Sequence, residues 1–160
     1  MSFRHGSQET SGFGVAGIER ECLLQIGSGR ILISLRDVRL SVRCRPVSGR
    51  VDQACGLVFR YRDENNYYVT RANALEDNVR LYHVVNGRRR QFAGWNGKVA
   101  GQTWHTLAVE ARGNRFRVEY DGKAVIDASD DTFREAGKVG LWTKADSVTH
   151  FDGLSAKPLE

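Results

Sequence analysis

The densest cluster of polar side chains in this 160-residue sequence lies between Arg71 and Arg80. Within it, Asn73 supplies an amide, and Glu76 and Asp77 supply two carboxylates. These planar groups make paired hydrogen bonds, which suits them to binding a polar ligand. The alternative is that the two arginines only neutralise the two acids, but exposed ion pairs stabilise a fold by only about 0–1 kcal/mol. We therefore treat the cluster as a candidate binding site.

Three runs rich in aromatic and β-branched residues flank this cluster, at 57–62, 67–73 and 79–85, and they predict three consecutive strands. Asn86-Gly87 follows the third run. Asn tolerates and Gly favours the positive φ angles of a type I′ turn, so the chain is predicted to return as a further strand. The cluster is thereby placed in the connection between the second and third strands of an antiparallel sheet.

Alternation of side chains between the two faces of a strand predicts which candidate residues lie together. We expect three pairs, each sharing one face of its strand: Arg71 with Asn73, Arg80 with Tyr82, and Trp142 with Lys144. With Glu76 and Asp77, these six residues form the predicted substrate-binding patch. The alternative is that Trp142 belongs to the core and that the arginines are only solvated.

The first part of the chain contains two further strand signals. Apolar and polar residues alternate over 38–45, which predicts a strand with one buried face that Pro46 is expected to end. Short apolar runs at 22–26 and 31–35, separated by a Gly-Ser-Gly spacer, indicate an earlier hairpin.

The last part of the chain adds more strands and turns. Gly113-Asn114 and Asp121-Gly122 are hairpin signals, and 138–144 with 148–154 predict the final strands. We expect one short helical turn within 130–137. About eleven short strands without a convincing amphipathic helix predict an all-β fold, namely a two-sheet antiparallel sandwich or a barrel.

The length fits one domain with a full core, over 18–157, preceded by a Gly- and Ser-rich flexible arm over 1–17. The predicted core residues share apolar character at alternating strand positions: Val38, Leu40, Val42, Leu57, Phe59, Val79, Leu81, Leu107, Val109, Phe116, Val118, Val139 and Leu141.

The composition argues against two classes of partner. No apolar run approaches the ~20 residues that cross a bilayer, so we expect no membrane partner. The net charge of +5 comes from Lys and Arg residues that are scattered over strands and turns. Charge in this arrangement is typical of a solvated face, so nucleic-acid binding is not expected.

Three cysteines, Cys22, Cys44 and Cys55, cannot all pair with one another. We predict that all three are free buried thiols, although Cys44 and Cys55 could be bridged if their Cα atoms come within about 7 Å. There is no C-x-x-C pair, and the histidines show no ligand spacing, so a zinc site is not expected. Acidic turns leave a weak possibility of calcium, and no other cofactor is predicted.

Three blocks of the sequence carry a family resemblance: FRYRDENNYYVTRANALEDNVRLY, WHTLAVEARGNRFRVEYDGKAVIDASDDTF and GKVGLWTKADSVTHFDGL. Their order and spacing, within residues 38–154, closely resemble the concanavalin A-like jelly-roll domains of the 3-keto-disaccharide hydrolase family, also called domain of unknown function 1080, which is related to laminin G-like modules. The resemblance implies a two-sheet jelly roll, a carbohydrate-related role and often a secreted or cell-envelope setting. The odd cysteine count also permits the cytoplasm, and residues 1–17 lack the long apolar stretch of a signal peptide.

Catalysis is the less favoured implication of this resemblance. Glycoside hydrolysis generally needs two carboxyl groups about 5–10 Å apart. The candidates are Glu76 with Asp77, the acidic string 127–131, Asp146 and Asp152, and none matches the Glu-x-Asp-x-x-Glu pattern of laminarinase-type sandwiches. Gly-x-Ser-x-Gly and phosphate-binding glycine motifs are also absent from the sequence.

We therefore predict a carbohydrate-recognition domain that binds a saccharide on the concave face of one sheet. Sugars suit the patch because their apolar faces stack on aromatic rings and their hydroxyl pairs match planar polar side chains. The alternatives are a sugar hydrolase, which a pair of acids brought together in space would favour, and a laminin G-like protein-interaction module, which a flat face would favour. The catalytic residues, the sugar and the oligomeric state are left open.

Overall fold

The computed structural model describes residues 24–26, 29–31 and 34–160. The strands are β1 (Leu24–Ile26), β2 (Gly29–Ile31), β3 (Val38–Ser48), β4 (Ala54–Asp63), β5 (Asn66–Asn73), β6 (Asn78–Val85), β7 (Arg88–Asn96), β8 (His105–Arg112), β9 (Arg115–Tyr120), β10 (Lys123–Ser129), β11 (Lys138–Trp142) and β12 (Val148–Pro158). Within these described ranges there is no helix, and so none with the length and apolar character needed to span a membrane.

Two five-stranded antiparallel sheets pack against each other, which confirms the predicted two-sheet jelly-roll sandwich. The strand order is β10-β9-β8-β3-β12 in the first sheet and β11-β4-β5-β6-β7 in the second. β1 and β2 form a separate antiparallel pair at the predicted earlier hairpin, but the second arm begins at Gly29, within the predicted spacer. The predicted flexible arm over 1–17 lies outside the described residues.

Tight turns connect neighbouring strands where the sequence predicts them. Asn86 and Gly87 have φ angles of 49° and 74°, and Asp121 and Gly122 have φ angles of 49° and 77°. A type I′ turn requires such positive φ angles at both central positions. These turns therefore set the hairpins β6–β7 and β9–β10, whose strands pair directly.

The core between the sheets contains the residues that alternation predicts. All of the predicted core residues are buried except Leu141, which is partly buried and packs against the same cluster. Aromatic rings fill its centre, where the ring of Tyr68 lies 5.3 Å from that of Phe59 and 4.8 Å from that of Phe116. One face of the second sheet packs in this core. The opposite face, which we call the outer face, carries a separate cluster of side chains.

Pro46 does not end its strand, contrary to the prediction, because β3 continues to Ser48. The pairing of β3 with β8 stops at Cys44, so a missing N–H at Pro46 breaks no bond on that side. The other side pairs with β12, where Pro46 lies opposite Thr149. A proline is tolerated here because this end of β3 is an edge.

The segment 130–137 contains no helical turn, which is a second correction. The guanidinium group of Arg60 is buried and donates hydrogen bonds to the carbonyl oxygens of Phe133 (2.8 Å), Arg36 (3.0 Å) and Gly113 (2.6 Å). Because Arg60 uses the carbonyl of Phe133, and the Phe133 ring packs 5.2 Å from that of Tyr68, this segment is held as an irregular connection over the sandwich edge.

The prediction of three free thiols is also wrong, because Cys44 and Cys55 form a disulfide. Their Cα atoms are 6.3 Å apart, and the bond joins β3 of the first sheet to β4 of the second. The odd count misled the prediction, since one unpaired cysteine is compatible with one bridge. Cys22 lies outside the described residues.

We expect a thiol titration of the denatured, unreduced protein to find one free group, and none in a Cys22→Ser variant. The double variant Cys44→Ala/Cys55→Ala should lose about 3 kcal/mol of unfolding free energy in urea. The two cysteines are 11 residues apart in the sequence, and without the bond this loop is no longer closed in the unfolded state. A titration that finds three thiols in the wild-type protein would contradict the disulfide.

Candidate functional site

The outer face of the second sheet is built from rows of side chains that run across its strands. In one row, the register places Trp142 opposite Gly56, Gly56 opposite Arg71, Arg71 opposite Arg80, and Arg80 opposite Gly94. Residues directly opposite each other in a sheet share a face. The structure therefore brings three of the predicted site residues, from three different strands, into one row.

Gly56 allows this row to be closely packed. A Cβ atom at Gly56 would lie 3.1 Å from Cε3 of Trp142, 3.2 Å from Cβ of Arg71 and 2.8 Å from the carbonyl oxygen of Thr70. Any side chain at this position would push Trp142 and Arg71 apart. The glycine is therefore required by the packing of the site.

Arg71 is only 2% exposed, and its guanidinium group is held by three side chains. It donates to Oδ1 of Asn78 at 2.6 Å, to Oε2 of Glu76 at 2.7 Å and to the hydroxyl oxygen of Tyr82 at 3.0 Å. A charge removed from water is costly unless polar groups surround it. The candidate cluster is thus a buried network, and Arg71 lies at its centre.

Glu76 is the part of this network that reaches solvent, with 40% of its side chain exposed. Burial of the carboxyl group opposes ionisation, but hydrogen bonds from Asn78 and Arg71, together with the charges of Arg71 and Lys144, outweigh it and lower the pKa of Glu76 to about 2. Glu76 is therefore a fixed, ionised acceptor at neutral pH.

A second carboxylate, Asp52, lies beside Glu76 and is only 1% exposed. Its Oδ1 accepts a hydrogen bond of 2.6 Å from Nδ2 of Asn73, which also donates to Oε1 of Glu76 at 3.1 Å. Nζ of Lys144 lies 2.9 Å from Oδ2 of Asp52 and 4.0 Å from Oε1 of Glu76. Asn73 and Lys144 thus bridge the two acids.

The loop that carries Asp52 is held by the chain segment that follows Lys144. The carboxylate of Asp146 accepts hydrogen bonds from the backbone N–H groups of Arg50 (2.7 Å), Val51 (3.1 Å) and Asp52 (3.1 Å). These backbone hydrogen bonds lower the pKa of Asp146. One short segment therefore positions both the side chain and the backbone of Asp52.

The other predicted site residues have different surroundings. The carboxylate of Asp77 faces the connection between β7 and β8, where it accepts hydrogen bonds from the backbone N–H of Val99 at 3.0 Å and from Lys98 at 3.2 Å. Arg80 donates to the carbonyl oxygen of Trp95 at 2.8 Å and to Oδ1 of Asn96 at 2.6 Å. In the described part of the chain, the side-chain hydrogen bonds of Asp77 and Arg80 go to these residues and to Val79, and not to the Arg71 network.

Trp142 is 2% exposed and Arg71 is also buried, so the structure supports the alternative that Trp142 is a core residue and contradicts the alternative that Arg71 is solvated. Alanine substitutions there would remove buried groups and would not test ligand binding without also unfolding the domain. Trp142 belongs to a second buried cluster, on the outer face, with Tyr67, Val69, Tyr82 and others. The sequence analysis considered the arginines on the strands as either ligand-binding or solvated. Arg71 is instead buried, because the fold supplies Asn78, Glu76 and Tyr82 as hydrogen-bond partners.

A cleft of about 380 Å³ opens at the other end of this face. Its lining includes Tyr67, Val84, Arg89 and Trp142, with Glu64 and Asn65 from the turn between β4 and β5. The guanidinium carbon of Arg89 lies 4.7 Å from the ring centroid of Tyr82 and 5.7 Å from that of Trp142. The sequence prediction did not include this cleft.

Two members of the network, Asp52 and Asn78, were missed by the sequence analysis. Asn78 lies inside the predicted cluster but was not among the candidate site residues. Asp52 gave no usable signal, because its partners Asn73 and Lys144 are 21 and 92 residues away in the sequence.

The remaining acidic candidates do not join this site. Asp127 pairs with Arg115 at 3.2 Å, Asp152 with Arg43 at 3.1 Å, and Asp130 accepts from the hydroxyl of Tyr68 at 2.6 Å. In the portion of the chain that the structure describes, no three His, Cys, Asp or Glu residues form a group that could hold a metal ion.

Comparison with solved structures finds the same sandwich architecture in other proteins. The CBM66 carbohydrate binding module of Bacillus subtilis superposes with a TM-score of 0.72 and 26% identity, over 78% of this chain and 77% of that one. Galectin LEC-6 of Caenorhabditis elegans superposes with a TM-score of 0.61 and 14% identity, over 79% and 88% of the two chains. The second similarity concerns the fold alone.

No family model matches the sequence. Among curated proteins, a levanase of Bacillus subtilis (strain 168) is 34% identical over 89 residues, which are 55% of this chain and 13% of the levanase. A TPR repeat-containing protein of Treponema pallidum (strain Nichols) is 34% identical over 88 residues, or 54% of this chain and 10% of that protein. The chain therefore spans a small part of the length of the curated relatives it matches.

We expect Asp146→Asn to loosen the loop that carries Asp52. The amide keeps the shape of the side chain but loses the charge and one acceptor oxygen, so hydrogen exchange at the amides of Arg50, Val51 and Asp52 should accelerate at least tenfold. Asp152→Asn, which removes an exposed ion pair on the first sheet, is the matched control and should leave these amides unchanged. Equal exchange rates in both variants would contradict the positioning role of Asp146.

The low pKa of Glu76 predicts a pH-dependent contribution to stability. The folded-state pKa of about 2 lies below the ordinary value of 4.5, so the contribution is present above about pH 5 and is lost as the pH falls towards 2. The melting temperature of Glu76→Gln should therefore be lower than that of the wild type at pH 7, and the difference should shrink on acidification. Glu135→Gln, on an exposed connection, is the control. A difference that stays constant down to pH 2.5 would refute this assignment.

Proposed function

We propose that this chain is a carbohydrate-recognition domain, and that the saccharide binds on the outer face of the second sheet at the end formed by Glu76 and Lys144. The observation that carries the proposal is the Glu76 carboxylate, which is ionised, held by Arg71 and Asn78, and still 40% exposed. A rigid exposed acceptor of this kind needs no reorganisation before it binds a ligand.

Two exposed charged groups, the carboxylate of Glu76 and the ammonium group of Lys144, can bind neighbouring hydroxyls of a sugar. Each hydroxyl both donates and accepts a hydrogen bond. Glu76 accepts from one hydroxyl, and the adjacent ammonium group of Lys144, 22% exposed, donates to the next. Hydrogen bonds to charged groups contribute about 1.5–3 kcal/mol each, more than those between neutral groups.

The printed names of the relatives support the same ligand class. One structural neighbour is a carbohydrate binding module, and one curated relative is a levanase. Levan is therefore the first polysaccharide to test with this chain. Membership in the 3-keto-disaccharide hydrolase family stays a hypothesis that rests on the sequence resemblance alone.

One observation favours the hydrolase alternative, and another opposes it. Asp52 and Glu76 share the amide of Asn73, so they are no farther apart than the roughly 5–10 Å that separates the two acids of glycosidases. A general acid, however, needs a raised pKa, whereas that of Glu76 is lowered to about 2. Asp52 is buried against Lys144. The pair therefore supports binding better than acid catalysis.

Two matched variants test the proposal. Glu76→Gln keeps the shape of the side chain and removes its charge, and Glu119→Gln makes the same change in a glutamate bonded to Arg39 on the first sheet. In affinity electrophoresis and calorimetry with levan, inulin, xylan and laminarin, we expect Glu76→Gln to weaken binding of the recognised polymer at least tenfold, or about 1.4 kcal/mol. Glu119→Gln should bind as the wild type does.

An amide chemical-shift titration of the wild-type protein provides a test without substitution. Ligand should shift signals from residues 73–78 and 142–147 and leave the outward side of the first sheet unchanged. Shifts confined to the first sheet, or equal losses of affinity in both variants, would refute the location. Absence of binding to every polymer would refute the function.

A further inference from the structure

We propose that the ligand is a saccharide chain that lies along β5 and occupies a second subsite in the cleft formed by Tyr67, Arg89 and Trp142. This inference rests on the proposed function and adds the length and direction of the ligand. It is carried by the position of two chemically different regions on one continuous face.

The two regions lie at opposite ends of the same strand. Tyr67 and Asn73 both face outward on β5, and their cross-strand partners on β6 are Val84 and Asn78. At ~3.3 Å per residue, Tyr67 and Asn73 are about 20 Å apart along the strand. A single sugar ring is much shorter than this distance, so one ring cannot contact both Glu76 and the cleft.

The surface between the two ends is continuous. Trp142 belongs to the row of Arg71 by its backbone register, and its ring also lines the cleft with Tyr67. Gly56 and Gly94 carry no side chain in this row, and Arg80 lies down against Trp95 and Asn96. Two positions of the row therefore carry no side chain, and the guanidinium group of Arg80 is bonded to the neighbouring strand.

The cleft has the composition of a saccharide subsite. Carbohydrate sites combine aromatic side chains with a small number of placed polar groups. Here the largely buried rings of Tyr67 and Trp142 line the cleft, Arg89 stacks its planar guanidinium over the rings of Tyr82 and Trp142, and Glu64 and Asn65 add a carboxylate and an amide to the lining. The lining contains a carboxylate, of Glu64, and a guanidinium group, of Arg89. Charged groups of opposite sign suit a neutral chain whose hydroxyl groups both donate and accept hydrogen bonds.

The test is the dependence of affinity on chain length. The probes are the products of partial hydrolysis of levan, inulin, xylan and laminarin, separated into lengths of one to six residues. For the polymer that binds, we expect affinity to rise at least tenfold from the single sugar to a chain long enough to reach both regions. Longer chains should bind no more tightly.

Variants at each end show which region contributes at each length. Arg89→Ala and Glu64→Ala should weaken binding of the longest chain at least fivefold and leave binding of the single sugar unchanged, whereas Glu76→Gln should weaken both. Arg90→Ala is the matched control, because the adjacent side chain points to the opposite face of β7. It should have no effect.

The outcomes separate this inference from the proposed function. A single sugar that binds as tightly as the longest chain, or cleft variants without effect at any length, would overturn the second subsite while binding through Glu76 still stands. A length dependence that requires Arg89 but not Glu76 would place the ligand in the cleft alone and overturn the two-ended chain. Absence of binding at all lengths would overturn both proposals.

Discussion

A buried guanidinium group in the middle of a sheet face is the constraint that organises this site. Arg71 is only 2% exposed to solvent, so its charge has to be compensated by neighbouring side chains. Asn78, Glu76 and Tyr82 do this, because β5 and β6 pair in a register that brings all three within reach. Compensation of Arg71 also fixes the carboxylate of Glu76. A requirement of folding thereby creates a preformed hydrogen-bond acceptor at the surface.

The second half of the site depends on contacts between distant parts of the chain. The segment 144–149 holds the loop before β4 through the charge of Lys144 and the carboxylate of Asp146. It also holds the start of β4, because the hydroxyl of Thr149 donates to the carbonyl of Ala54 at 3.0 Å. These bonds link residues more than 90 positions apart. The ordering of Asp52 therefore depends on the final strands joining the sandwich, whereas Glu76 is held by residues of β5 and β6.

Local patterns explain which parts of this structure could be predicted from the sequence. Alternation and the Asn86-Gly87 turn determine β5, β6 and β7 within a few residues, so the fold and most of the core follow. Arg71 was placed correctly on its strand, but its burial depends on partners that only the assembled sheet supplies. Asp52 and the bond between Cys44 and Cys55 depend on long-range geometry, for which the local sequence contains no signal.

The disulfide closes a covalent ring within the chain, and Asp52 lies inside that ring. A ring restricts the conformations of its members even while their hydrogen bonds are broken. Disulfides persist in oxidising surroundings and are rare where thiols are kept reduced. In a reducing compartment the ring would open, and the order of the Asp52 loop would depend on its hydrogen bonds and ion pair with Asn73, Asp146 and Lys144. The redox state of the surroundings, as well as the supply of ligand, would then determine how well the site is formed.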